Sequence, residues 1–214
     1  MNRIYILFCI LILTTKVIAT QQCCDTIIYN GHSYPTQLNL LEKYFDENPE
    51  KKPKIECMST ALWRGYIATF KIKDNRILLK NIIKYVKKKG CVDCSKREWK
   101  SVTKKVFQGK NDVKATWFTG LIVLPYKFIR RTNMAYSDVY ERYTIFEIYK
   151  GDIKKEKVLN YKQYKTFEEK QFQSYKTTDE YKKLVIKLNK AWGPRFTNIY
   201  LKGYSIYHTN KIIE

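Results

Sequence analysis

Histidine is almost missing from this sequence: His32 and His208 are the only two in 214 residues. That scarcity rules out a histidine-rich metal centre and leaves little material for imidazole acid–base chemistry. No glycine-rich phosphate loop, Gly-x-Ser-x-Gly elbow or His-Glu-x-x-His helix occurs, and no cofactor-binding motif stands out. Acidic residues are few as well, 20 against 41 Lys and Arg. Asp138 and Glu141 lie three apart, which on a strand sends them to opposite faces. Asp46, Glu47 and Glu50 read as a solvated helix end. Neither group makes a convincing metal site or carboxylate pair. After residue 19 there is no apolar run approaching the roughly 20 residues that a membrane span requires.

What the chain does have begins at its first residue. Met1-Asn2-Arg3 is a short positive start, and Ile4 to Leu13 is apolar. A polar stretch then ends in small residues, with Val17 and Ala19 at the −3 and −1 positions of a cleavage site. Residues 1–19 are therefore expected to be a secretory signal peptide, and the protein to be secreted or periplasmic. The competing reading is an uncleaved N-terminal membrane anchor. Residues 20–214 are long enough for one globular domain with a full core. Loss of Arg3 and Lys16 with the leader lowers the formal charge from +21 to +19. Such basicity suits a polyanionic partner or another protein. A compositional bias toward lysine is the plainer explanation, because the lysines are spread along the whole chain.

Five cysteines follow the leader: Cys23, Cys24, Cys57, Cys91 and Cys94. In an exported chain they are expected in disulfides, with one left over. The spacing suggests Cys91–Cys94 as one bridge and Cys57 with Cys23 or Cys24 as the other. Cys91-Val92-Asp93-Cys94 also fits a thiol-redox motif or half of a zinc site, although no second ligand pair is evident.

Alternation and punctuation predict an α+β fold, in which antiparallel β-hairpins form a twisted sheet packed by helices. Asn30-Gly31, Asp74-Asn75 and Lys150-Gly151-Asp152 mark three hairpin turns. A helix is expected from Leu38 toward Asn48, and another from Lys96 to Gln108 after a charged loop at Tyr85 to Gly90. Ala115 to Pro125 reads as a central strand, apolar on both faces. Residues 165–192 read as a helical C-terminal part, with capping boxes at Thr166-Phe167-Glu168-Glu169 and Thr177-Thr178-Asp179-Glu180. In the second helix Tyr181, Leu184, Val185, Leu188 and Trp192 form one apolar stripe. Gly193-Pro194 ends it, and residues 196–207 alternate weakly, as a last strand would.

Three stretches carry a resemblance. Ser59-Thr60-Ala61-Leu62-Trp63-Arg64-Gly65-Tyr66-Ile67-Ala68-Thr69-Phe70, Trp117-Phe118-Thr119-Gly120-Leu121 and Tyr140-Glu141 resemble an uncharacterised family of bacterial proteins, many of them with export signals. The resemblance implies a compact domain over most of residues 26–190 and no particular activity.

Trp63, Arg64 and Tyr66 at a strand entrance are the most distinctive candidates for ligand binding. An arginine beside aromatics can clamp a carboxylate or phosphate, and Trp117, Tyr140 and Glu141 are candidates for the same cleft. The plainer reading pairs Arg64 with a carboxylate such as Glu141 and packs Trp63 in the core. His32 and His208 are expected on the surface, His208 in a frayed terminus. The expected function is a non-enzymatic binding or interaction protein for an anionic ligand or protein partner. A secreted, nuclease-like hydrolase and a thiol-redox protein using Cys91 and Cys94 are the alternatives.

Overall fold

The computed structural model describes residues 22–36, 38–131 and 138–214, so the expected signal peptide at residues 1–19 lies outside the described residues. In chain order the elements are β1 (Asp25–Tyr29), β2 (His32–Thr36), α1 (Glu42–Glu47), β3 (Ile67–Lys73) and β4 (Arg76–Lys87). Next come β5 (Arg97–Ser101), α2 (Thr103–Val106), β6 (Val113–Lys114) and β7 (Gly120–Arg130). The chain continues through β8 (Val139–Tyr149), β9 (Asp152–Asn160), α3 (Tyr161–Lys176), α4 (Asp179–Trp192) and α5 (Pro194–His208). The fold is α+β.

All three expected hairpin turns form. Asn30 and Gly31, Asp74 and Asn75, and Lys150 and Gly151 each place two successive residues at positive φ. That backbone twist matches the twist of the flanking strands, and Asn, Asp and Gly adopt it at least cost. The strands run in the order β2-β1-β3-β4-β9-β8-β7, with β5 and β6 also paired to β4. The sheet is mixed rather than made of hairpins alone, because β1 and β3 are parallel. A tight turn cannot close a parallel pair, so the chain between them makes a crossover that carries β2 and α1.

Only Arg76 and Asp152 pair β4 with β9, and there the sheet bends. The Ile77 amide donates to the Gly151 carbonyl at 2.9 Å, and the Ile153 amide donates to the Asn75 carbonyl at 2.8 Å. These bonds weld two hairpin turns into one corner. The bend lays the two halves face to face in a near-barrel form. One core then contains Ile27, Phe70, Leu79 and Ile82 from the first half with Ile122, Leu124, Phe146 and Ile148 from the second.

The apolar faces of β7 are both covered, as expected. Ile122 and Leu124 enter this core, while Leu121 and Val123 meet Phe167, Ile206 and Ile212 on the other side. The strand is nevertheless last in the order rather than central; helices α3 and α5 supply its second cover. It also starts at Gly120 instead of Ala115, since the Phe118 amide turns back to the Ala115 carbonyl at 3.0 Å.

Three elements differ from expectation. Lys96 to Gln108 is strand β5 followed by the short α2, and β4 runs through the supposed loop as far as Lys87. Helix α3 starts at Tyr161 rather than near Thr166, because Asn160 and Gln163 cap it reciprocally. Residues 196–207 are helix α5, for Pro194 at a first helical turn favours starting a helix as much as ending one. Helix α4 begins one residue later than the expected box places it: Thr178, not Thr177, is the N-cap, its side chain accepting from the Tyr181 amide, while the Thr177 hydroxyl donates back to the Ser174 carbonyl. Tyr181, Leu184, Val185 and Leu188 pack on Phe172, Tyr175 and Leu201.

Candidate functional site

The six residues expected to share one cleft separate into four places, Arg64 and Tyr66 staying together with the guanidinium 5.2 Å from the Tyr66 ring centre. Arg64 follows a 3-10 turn at Thr60–Leu62 and is buried. Its two terminal nitrogens donate to the two Asp25 oxygens, both at 3.0 Å, and one also reaches the Cys23 carbonyl at 3.4 Å. The Ala68 amide donates to Asp25 as well, at 2.9 Å. Burial pushes the Asp25 carboxyl up against the opposing pull of Arg64 and the Ala68 amide. Burial would lower Arg64, but Asp25 more than offsets it and holds the guanidinium charged. The fork is thus spent inside the protein, and Asp25, not Glu141, is its partner.

Tyr66 is fully buried, and its hydroxyl donates to Glu42. Burial and the Glu42 carboxylate drive that phenol far above its ordinary range. Burial alone would raise Glu42, yet bonds from Lys52 and Tyr66 hold it below the usual carboxylate value. Trp63, in contrast, is 58% exposed and does not enter the core. Tyr140 packs edge-on against Phe128 and Tyr143. Glu141 is exposed and pairs with Lys127 and Arg142. Both lie at the end of β8 away from the Gly151 turn.

Trp117 does reach a cleft, of about 380 Å³, lined chiefly by Tyr44, Glu47, Asn48, Phe107, Lys114 and Trp117. Its floor is a packed ring cluster, with Tyr44 at 4.8 Å from both Phe107 and Trp117. The polar groups there are mostly committed internally. The Trp117 N–H donates to the Leu40 carbonyl at 2.8 Å, the Asn48 amide to the Tyr44 carbonyl at 3.0 Å, and Lys114 pairs with Asp152 at 2.7 Å. Little remains to select a ligand.

The histidines do not join Arg64. His32 is exposed on β2. His208 is not frayed: it ends α5, bonded to Glu180 at 2.7 Å and packed on Tyr204. Burial lowers its pKa against the pull of Glu180. Among the described residues no group of three or more His, Cys, Asp or Glu is placed to hold a metal ion.

The disulfide is Cys57–Cys94, not Cys91–Cys94 or a bridge from Cys57 to Cys23 or Cys24. Cys23, Cys24 and Cys91 are unbridged. The β4–β5 hairpin explains the pairing: the Lys88 amide donates to the Lys96 carbonyl at 3.0 Å, closing a loop that sets Cys94 on the segment around Cys57.

That hairpin carries the strongest candidate. Tyr85 and Trp99 are directly opposite across β4 and β5, as are Lys87 and Arg97. The two rings stack at 3.8 Å, and the Arg97 guanidinium lies 4.4 Å from the Tyr85 ring centre. Every residue of β5 is exposed. Between Lys84 and Lys105 the sequence has nine Lys and Arg against Asp93 and Glu98 alone. Glu56 adds one more acid, accepting from the Lys87 amide at 2.9 Å. The disulfide keeps Met58 and Val92 beside this face, 77% and 93% exposed. Arg97 donates to the Met58 carbonyl at 3.5 Å and Lys87 to the Val92 carbonyl at 2.8 Å. Reading residues 85–108 as loop and helix concealed the face. The available signal was Tyr85 and Trp99 set among alternating basic residues, which only strand geometry gathers on one side.

Comparison with known proteins returns nothing: no protein-family model, curated protein or solved structure matches the chain.

Proposed function

We propose that this chain is an exported, non-enzymatic binding protein whose ligand is a linear polyanion held on the outer face of β4 and β5. The observation that carries the reading is the exposed Trp99–Tyr85 stack flanked by Arg97 and Lys87 within a strongly basic stretch. Flat rings offer a stacking platform for bases or sugar rings, while the cations neutralise phosphate or sulfate. The staple at Cys57–Cys94 limits the motion of the hairpin tip, so less freedom is lost on binding. The leader at residues 1–19 and the resemblance of residues 59–70 to exported bacterial proteins are in keeping with this role.

The test is titration with heparin and with single-stranded DNA at several salt concentrations. Affinity should fall linearly with salt on logarithmic axes. Trp99→Ala should weaken binding by about 1–2 kcal/mol, roughly tenfold. Arg97→Ala with Lys87→Ala should flatten the salt dependence. Salt-independent binding, or equal affinity of wild type and all variants, defeats the proposal.

A further inference from the structure

A second surface lies on the C-terminal helices. Helix α5 buries Thr197, Leu201 and Ser205 on its inner side and Ile206 against the sheet and α3. A second set of apolar residues points the other way. Phe196, Ile199, Tyr200, Gly203 and Tyr207 recur at helical spacing and form one stripe. Phe196 is 65% exposed, and Ile199, Tyr200 and Tyr207 are each above 40%. Trp192, half-exposed at the end of α4, extends the stripe by meeting Tyr200 edge-on at 5.3 Å. Tyr200 also stacks on Tyr204 at 5.2 Å, and burial beside Glu168 of α3 raises the Tyr207 phenol, so the open part of the row is Phe196 and Ile199 with the outer edge of Tyr200.

Charge identifies the occupant. From Tyr181 to Ile213 the chain has seven Lys and Arg and no Asp or Glu. Of these Lys182 is paired with Asp179 and Lys202 with Glu169, and Glu180 bonds His208, which leaves Lys190 and Arg195 as the cations beside the row. Lys190 and Arg195 flank Trp192 and Phe196 directly at the α4–α5 corner. Two copies meeting through this row would bring these like charges together, which opposes self-association. An anionic lipid surface complements them. Tryptophan and tyrosine suit the headgroup region, and phenylalanine and isoleucine suit the acyl boundary beneath it. Among the described residues no helix is long and apolar enough to cross a membrane, so the mode is seating rather than spanning. We infer that the outward stripe of α5 docks the protein on an anionic bilayer surface. This inference is independent of the β4–β5 face.

The test uses the chain beginning at Thr20, which retains every described residue. Cosedimentation is measured with vesicles of phosphatidylglycerol mixed with phosphatidylcholine, and with phosphatidylcholine alone. Wild type should bind the anionic vesicles and not the neutral ones, with binding reduced by added salt. The double variant Phe196→Ser, Tyr200→Ser should lose about tenfold or more in partitioning. Trp99→Ala should bind vesicles as wild type does, which separates this surface from the polyanion face. If the first pair disturbs the helical circular dichroism signal, Phe196→Ser with Ile199→Ser provides the same comparison. The inference is overturned if wild type ignores anionic vesicles, or if the stripe variants bind them unchanged. It is also overturned if wild type is a dimer in size-exclusion chromatography that becomes monomeric in the double variant, since the stripe would then belong to a second copy.

Discussion

Asp25 and Arg64 form an ion pair whose side chains are 0% and 5% exposed, and a charge so placed is costly when its partner is removed. Arg64→Ala leaves the Asp25 carboxylate without its guanidinium and should lower the unfolding free energy by about 3–5 kcal/mol. Lys127→Ala, at the exposed pair with Glu141, should cost no more than about 1 kcal/mol. Urea denaturation of both variants checks the contrast, and similar losses would contradict it. The sequence marked Arg64 as unusual, and it is. It could not say whether the arginine faced a ligand or a carboxylate. Asp25 lies 39 positions away, and only the parallel pairing of β1 with β3 brings it to Arg64.

At the scale of elements, local signals were strongest where backbone conformation itself is demanding. The Asn-Gly, Asp-Asn and Lys-Gly turns were legible because few residue pairs adopt positive φ in succession. The same reasoning failed for Lys96 to Gln108. Its Lys, Arg, Glu and Gln are good helix formers, a weak preference that tertiary context overrides. Here the context is the Tyr85–Trp99 cross-strand stack and the Cys57–Cys94 bridge. Replacing both bridging cysteines with serine should reduce stability by about 2–4 kcal/mol under oxidising conditions. Thermal unfolding with and without reductant measures it; a variant as stable as the oxidised wild type would show that the bridge does not constrain the chain. Gly193-Pro194 posed a different ambiguity. A glycine at positive φ suits a helix end and a proline suits a helix start, so one dipeptide both closes α4 and opens α5.

Across the whole molecule, the corner at Gly151 holds the two halves of the sheet together. A Cβ there would lie 2.9 Å from the Ala115 carbonyl oxygen, and the backbone is already at φ 78°. Gly151→Ala should therefore lose about 1–3 kcal/mol. Gly31→Ala, at a similar φ but with nothing within 4 Å, should lose only about 1 kcal/mol. Equal shifts in melting temperature would mean that close approach at the corner carries no cost. The sequence by itself determined the hairpin turns, the two-faced apolar β7 segment, the capped start of α4 and a charge far from neutrality. These are properties of neighbouring residues, set by local sterics, side-chain period and composition. The tertiary structure alone decided the near-barrel bend, the bridge from Cys57 to Cys94, and the dispersal of Trp63, Arg64, Trp117 and Tyr140 to separate places. It also decided that Tyr85 and Trp99 share a face and that α5 buries Leu201 and Ile206 while leaving Phe196 and Ile199 outward. Each depends on which distant segments pack together, and the free energy of that packing is carried by contacts that no local window contains.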